Sequence, residues 1–379
     1  MPDNTPIKQA LSAGEHPILL ESATQLANAA KQWESSNVLG IDTEFVRERT
    51  YRADLGLIQI SDGRTAWLVD PLAVGSLEPL AQLMANTNIT KILHSSSEDL
   101  EVLMNSLGQL PEPLVDTQVA SAMLGQPLQL AYHNAVKWLL DITVDKDQTR
   151  SNWCRRPLHS NQLRYAAMDV VFLPMMLQKI KPQLEMVGRW EWLMEDAERM
   201  KKNSLTPVDP EHAYLRFPGI GRMDESGLKA LQALAAWREK TAKEKNRARG
   251  FVISDAGLMQ LSRLRPGSAD QISRIDEIHP GALSKYQPRL LQLIADSQSM
   301  KSPVEKIEDL SNNQQRQLKA MRSAVGERAK ELDLDPALLA SRKELEKLIR
   351  AVANSQQIPE RFRGWRKQVI TEELLQLLE

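Results

Sequence analysis

The sequence predicts an α/β domain built on a mixed β-sheet, followed by two small all-α modules. Three observations carry this reading. Through roughly the first 200 residues, β-branched and apolar runs alternate with helical periodicity, and three strand signals come early and close together. Beyond Lys202 the strand signals stop and apolar residues recur at helical spacing. Between the two regimes, Asn203-Ser204-Leu205-Thr206-Pro207-Val208-Asp209-Pro210 has the composition of a linker.

The elements follow in order. Val38 to Phe45 reads as a strand, β-branched and apolar apart from Asp42 and Glu44. Leu55 to Ser61 and Thr65 to Val69 are two further strands, and Asp62-Gly63 between them signals a hairpin turn. Leu77 to Met84 is helical, and Lys91 to His94 is a short strand. Ser95-Ser96-Ser97-Glu98 fits a capping box that opens a helix running to about Leu107. Leu163 to Leu184 has helical periodicity, kinked or broken at Pro174. In the second half Leu228, Leu231, Leu234 and Trp237 share one helical face. Pro266-Gly267 and Pro280-Gly281 punctuate that module, and a break near Lys301-Ser302-Pro303 precedes a last helical stretch with Leu338-Leu339 and Leu345-Leu348-Ile349. The expected domains are residues 1–205, 206–298 and 299–379.

Composition narrows the class. The 379 residues are 42% hydrophobic and 26% charged, as in a globular protein with real cores. No apolar run approaches the ~20 residues that cross a bilayer, and the first residues lack a basic segment followed by an apolar one, so neither a membrane span nor a signal peptide is expected. Cys154 is the single cysteine, too few for an internal disulfide or a cysteine zinc site. These features place the protein in the cytoplasm. The near-neutral total hides an asymmetry: residues 1–199 carry 17 Lys+Arg against 25 Asp+Glu, and residues 200–379 carry 31 against 24. Such a split is compatible with nucleic-acid binding and equally with solvated helix faces.

Asp42 and Glu44 lie two apart in a strand, so both side chains point to one face. Two adjacent acids flanked by Val38 to Ile41 and by Phe45-Val46 repel each other and lose hydration, a cost that a cation between them removes. All-oxygen donors suit Mg²⁺ or Mn²⁺. Asp99 falls in the first turn of a helix, where the macrodipole alone favours an acid. Tyr165 and Asp169, four apart in a helix, share a face among Leu163, Ala166, Ala167, Met168, Val170 and Val171.

Taken together these residues are more specific than any one of them. Asp-x-Glu in a first strand, an aspartate about 55 residues on, and Tyr-x₃-Asp about 65 residues later resemble the DEDDy exonucleases. Ile41-Asp42-Thr43-Glu44-Phe45, Leu57-Ile58-Gln59-Ile60, His94 with Glu98-Asp99-Leu100, Trp153 with Arg156-Pro157-Leu158, and the run from Gln162 to Val170 resemble the ribonuclease D family in particular. This likeness covers roughly residues 15–200, and no departure occurs at the five catalytic positions. Leu231 to Glu239, Phe251-Val252-Ile253 and Pro266-Gly267-Ser268 resemble an HRDC module. Gln287 stands where such modules often carry glycine, a departure that bears on the start of the last helix. Ala340-Ser341-Arg342 and Gly364-Trp365-Arg366 are the landmarks of a second, more divergent HRDC-like module.

The resemblance implies a ribonuclease H-like fold, two divalent cations (Mg²⁺ or Mn²⁺), and removal of single nucleotides from RNA 3′ ends, with tRNA precursors carrying 3′ extensions and other small structured RNAs as substrates. In a two-metal hydrolysis Asp42, Glu44 and Asp169 would hold one ion, and Asp42 would bridge to the second, which Asp99 would hold directly or through water. Tyr165 would orient the attacking water, since a neutral phenol is a poor base at pH 7. His94 either contacts substrate or packs, and Arg156 either contacts phosphate or forms a surface ion pair. Trp237, Arg238, Arg247, Arg249 and Arg263 are candidates for an RNA-binding surface, although Trp237 at helical spacing reads as core. The helical modules could instead hold a protein partner. A DNA exonuclease of the same superfamily and a non-catalytic RNA-binding scaffold are the alternatives. No G-x₄-G-K-[ST] loop is present, so no nucleotide cofactor is expected.

Overall fold

The computed structural model describes residues 5–145, 151–207, 209–300, 304–306 and 308–379. The first part of the chain is organised by six strands: β1 (Ile18–Leu20), β2 (Val38–Val46), β3 (Asp54–Ser61), β4 (Ala66–Val69), β5 (Thr90–Leu93) and β6 (Leu114–Asp116). Their spatial order is β1-β4-β3-β2-β5-β6. β3 and β4 are antiparallel, whereas β1 with β4, β2 with β5, and β5 with β6 are parallel, so the sheet is mixed as expected. The connection after β3 differs from a two-residue hairpin. Ser61 pairs with Ala66, leaving four residues in the loop, and Asp62 Oδ1 accepts from the backbone N–H of Arg64 (2.8 Å) and Thr65 (2.7 Å) while Gly63 takes φ +85°.

Helices cover the sheet: α1 (Thr5–Glu15), α2 (Ala23–Trp33), α3 (Glu78–Ala85), α4 (Ser97–Leu107), α5 (Thr117–Ala122), α6 (Tyr132–Leu140), α7 (Ser160–Val171), α8 (Leu173–Met186) and α9 (Trp190–Leu205). The periodic stretch from Leu163 to Leu184 is two helices that meet at Phe172. Pro174 sits in the first turn of α8, where a missing N–H leaves no bond unmade. The capping box expected at Ser95 to Glu98 does not form. Ser95 adopts φ +63°, and Ser96, the residue before α4, makes no side-chain cap; its N–H and hydroxyl both donate to Asp116 Oδ2, at 2.7 and 2.8 Å. A tertiary partner outcompetes the local one. Among the described residues no helix is long and apolar enough to cross a membrane.

Two compact units divide the chain. One comprises Met1–Val46, Leu55–Leu205 and Leu310–Glu379; the other comprises Arg47–Asp54 and Thr206–Asp309. The second unit holds α10 (Glu225–Glu244), α11 (Arg249–Val252), α12 (Asp255–Leu264), α13 (Ala269–Ile272) and α14 (Pro280–Gln298). Leu228, Leu231 and Leu234 are buried in its core, as their spacing implies, and Trp237 packs edge-on against Tyr286. Gln287 does not move the start of the last helix. It lies within α14, donating to Ala269 O and Ser273 Oγ, and the helix begins at Pro280 with His279 as its cap. The expected basic surface is corrected in part. Arg238 is buried against Ile253 O and Asp255, and Arg249 pairs with Glu239, so only Arg247 and Arg263 of that set are exposed. Residues 47–54 belong here through Tyr51, whose hydroxyl donates to Glu239, and through Ala248 N–H to Arg49 O at 2.8 Å.

The last helices are α15 (Asn312–Glu331), α16 (Pro336–Leu339), α17 (Arg342–Ala353) and α18 (Glu372–Gln376). They have no separate core: Met321, Leu339, Leu348 and Phe362 belong to one apolar cluster with Leu184 and Leu193 of α8 and α9. Trp365 stacks face to face on Trp192 with centroids 4.3 Å apart. Gly364, at φ +60°, lies so close to Glu195 that a Cβ would collide with it. The break expected at Lys301-Ser302-Pro303, and Val208 of the expected linker, lie outside the described residues.

Candidate active site

The site begins with a close approach. At Gly40 in β2 a Cβ would lie 2.7 Å from Val170 O and 2.9 Å from Leu173 Cβ, so only glycine admits the α7–α8 junction onto the strand there. That approach sets Asp169, the neighbour of Val170, over the strand face bearing Asp42 and Glu44. Carboxylate oxygens of Asp42, Glu44 and Asp169 lie within 4.8 Å of one another. Tyr132 pins the same turn of α7 by donating its hydroxyl to Met168 O at 2.9 Å.

Asp99 comes from the first turn of α4. The Thr43 hydroxyl, between the two strand acids, donates to Asp99 and ties α4 to β2. Asp116, at the end of β6, accepts from Ser95 and Ser96 and caps α5 through Gln118 and Val119 N–H, fixing the turn that delivers Asp99. Asp99 stands beside the tight trio, near enough that its charge acts on both Asp42 and Glu44.

The electrostatics are those of crowded, poorly hydrated acids. Burial, then the charges of Asp99, Asp169 and Glu44, holds Asp42 well above the usual carboxylate range. Burial followed by Asp169 and Asp99 pushes Glu44 to about 8. Burial raises Asp169 to about 7 against the opposing hydrogen bond from Tyr165, and raises Asp99 to about 6 against that from Thr43. Among the described residues no lysine or arginine is among the causes acting on any of the four. The fit to a divalent cation rests on this: oxygen-only donors converge, and each is disfavoured as a bare anion. Burial and the neighbouring carboxylates push the Tyr165 hydroxyl upward too, so it stays a phenol and a donor.

A cavity of about 310 Å³ opens on these groups, with Asp42, Asp169, Tyr165, His94, Tyr132 and Leu173 in its lining. His94 is at its wall, but both ring nitrogens are engaged. Nε2 lies 2.8 Å from Leu130 O and so carries the proton, and Nδ1 lies 2.8 Å from Thr117 Oγ1. Burial lowers its pKa, against the opposing charge of Asp116 and the hydrogen bond to Leu130. Arg156 is not at the site. Its guanidinium pairs with Asp70 at 2.5 and 2.7 Å and donates to Gly56 O, Trp153 O and Arg155 O, which uses every N–H it has. It is an ion pair, yet a largely buried one that holds β3 to the segment before α7. Thr43, Asp116 and Tyr132 escaped the sequence reading. Only Asp116 carried a local signal, as an acid preceding Thr117 at a helix start.

A 3′-5′ exonuclease family model matches residues 17–185, an HRDC domain model residues 227–294, and a model of the ribonuclease D C-terminal HRDC domain residues 313–374. Ribonuclease D of Pseudomonas paraeruginosa is 36% identical over 360 residues, spanning 93% of this chain and 95% of that protein. The chain belongs to the ribonuclease D family. The Escherichia coli ribonuclease D sequence is 31% identical over 93% of this chain and 96% of its own length. The crystal structure of E. coli RNase D, described as an exoribonuclease involved in structured RNA processing, matches with a TM-score of 0.90 at 30% identity, covering 96% and 98% of the two chains. The catalytic core of RRP6 from Trypanosoma brucei shares the fold, with a TM-score of 0.62 at 22% identity over 75% and 81%. As a ribonuclease D, the chain is a metal-dependent 3′→5′ exoribonuclease, and the carboxylate trio lies within the exonuclease match.

Proposed function

We propose that this ribonuclease D removes nucleoside 5′-monophosphates one at a time from the 3′ ends of tRNA precursors and other small structured RNAs in the cytoplasm, using two divalent cations, Mg²⁺ or Mn²⁺. The observation that carries the site assignment is the convergence of Asp42, Glu44 and Asp169 within 4.8 Å. Those three would hold one ion, and Asp42 with Asp99 the other. When bound, such ions acidify a water and offset the negative charge on the phosphodiester.

The chain's own residues supply the remainder. Hydrolysis forms a bond from water oxygen to phosphorus and breaks the bond to the 3′ oxygen of the preceding nucleotide, which leaves as a 3′ hydroxyl. Tyr165, whose hydroxyl is held by Asp169, orients the attacking water. Its raised pKa keeps it protonated, so it positions the water and does not deprotonate it. The apolar walls provided by Tyr132 and Leu173 suit the terminal nucleoside and limit competing water. The description of the E. coli relative as acting in structured RNA processing supports the substrate class.

The test is time-resolved cleavage of a 5′-labelled RNA by wild type and Asp169→Asn, with Mg²⁺, Mn²⁺ or EDTA, alongside a matched DNA and a 3′-extended tRNA. A ladder shortening by single nucleotides, dependent on metal and absent in the variant, is expected. Equal cleavage of DNA, or an active Asp169→Asn, would overturn the substrate or the site assignment respectively.

A further inference from the structure

Away from the carboxylate site, three guanidinium groups surround one carboxylate. Arg366 takes both oxygens of Asp196 in α9, at 2.7 and 2.8 Å. Arg199 Nε lies 3.4 Å from one of those oxygens and Arg361 Nη1 lies 3.8 Å from the other. Asp196 is almost fully buried and shares its one charge among the three guanidiniums, with Glu344 as a second acid beside Arg361 and Glu360 within reach of the Arg199 charge. The neighbouring acids are already engaged: Glu195 accepts from Trp365 N–H at 2.7 Å, Glu198 pairs with Lys201 at 2.6 Å, and Glu360 with Lys202 at 2.6 Å. Arg361 has Glu344 at 3.1 Å from its Nε and gives Nη2 to Leu338 O, but among the described residues its Nη1 has no acceptor within hydrogen-bond distance. The same holds for both terminal nitrogens of Arg199.

These free donors line a cavity of about 410 Å³ between α9 and the segment 360–366, which Arg363 and Lys202, and the already engaged carboxylates of Glu195, Glu198 and Glu360, also border. Arg199 and Arg361 border an adjoining space of about 220 Å³ together with Lys347, Glu344 and Glu360. Burial, then the charges of Arg366 and Arg199, push Arg361 down to about 10 against the opposing charges of Asp196 and Glu344.

We propose that this cavity is a phosphate-binding site, in which the guanidiniums of Arg199 and Arg361 take the oxygens of one phosphate group. Planar forks with unused N–H groups match a phosphate bidentately. Two sources share that chemistry: a phosphodiester in the body of a bound RNA, and the phosphate of a free mononucleotide. The first source rests on the exoribonuclease reading. Binding measured in EDTA, where no cleavage occurs, separates failure of this site from failure of that reading.

The experiment uses the full chain, wild type, Arg199→Gln and Arg199→Lys, in EDTA. Affinity for a 3′-tailed structured RNA is read across a salt series, and AMP and inorganic phosphate are titrated calorimetrically. If RNA is the source, Arg199→Gln weakens RNA binding severalfold and makes the dependence of log K on log salt shallower by about 0.7, the share of one single-strand phosphate contact. If a free nucleotide is the source, wild type gives a binding isotherm with AMP or phosphate that Arg199→Gln loses, and the RNA salt slope is unchanged. Arg199→Lys keeps the charge without the fork and falls between, so the comparison survives if the glutamine variant fails to fold. Indistinguishable behaviour of wild type and both variants toward RNA, AMP and phosphate would overturn the proposal.

Discussion

The hydroxyl of Tyr51 donates to the buried carboxylate of Glu239, so the segment that continues from the strand bearing Asp42 and Glu44 is part of the helical unit. Glu239 also accepts from Arg249 Nε and Nη2, both at 2.6 Å, and from Arg216 at 2.9 Å. Against the cost of its burial, these donors, Arg249 first, hold its pKa near 2 where an ordinary glutamate has 4.5.

The folded-state pKa is depressed, so Glu239 contributes stability that is complete above about pH 4.5 and is lost as pH falls toward about 2. Wild type minus Glu239→Gln, followed by hydrogen exchange in α10 and α11, should therefore show a stability difference that is flat at neutral pH and shrinks in acid. At pH 7 the variant should lose about 3–5 kcal/mol, as expected when a buried charge cluster loses its anion. A difference independent of pH would mean the carboxylate is not the linking group.

Asp196→Ala should cost about 3–5 kcal/mol in urea unfolding, because it strands the buried Arg366 guanidinium. Pairing Asp196→Leu with Arg366→Met should recover much of that, since an apolar pair of similar volume carries no desolvation cost. A double variant as unstable as the single would show that the loss lies in packing.

Glu44→Gln should stabilise the metal-free enzyme by roughly 1–3 kcal/mol at neutral pH, because an acid whose folded pKa is raised weakens the fold as pH climbs from its unfolded value. With Glu44 raised from 4.5 to about 8, the wild-type penalty grows across that interval. Thermal unfolding in EDTA checks this, and Mg²⁺ or Mn²⁺ should raise the wild-type midpoint while moving the variant little. A less stable Glu44→Gln in EDTA would argue that Glu44 is satisfied without a cation.

Tyr165→Phe should lower kcat on RNA by about 10²-fold, the scale of losing one positioned proton-bearing group. The metal-dependent thermal shift and the RNA affinity in EDTA should persist, because in the proposed arrangement the phenol holds water and not the ions. Loss of the metal shift would place Tyr165 among the groups that order the carboxylates.

What the chain determines by itself is the content of the site and most of the sheet. Asp42 and Glu44 share a face because a strand has period two, and Tyr165 and Asp169 share one because a helix brings residues four apart together. β1 and β6 were illegible because three residues cannot display a period, and the Ser95 capping box misled because it is local while Asp116, 20 residues from Ser96, is the stronger acceptor. Tertiary structure alone decided that Gly40 admits Val170 and so delivers Asp169 to Asp42. It also turned Arg156 from a candidate phosphate ligand into the partner of Asp70, and merged the last helices into the core of the first domain. Side-chain type and spacing state which chemistry is available, but a charge's partner is chosen by distance in space, which local periodicity does not encode.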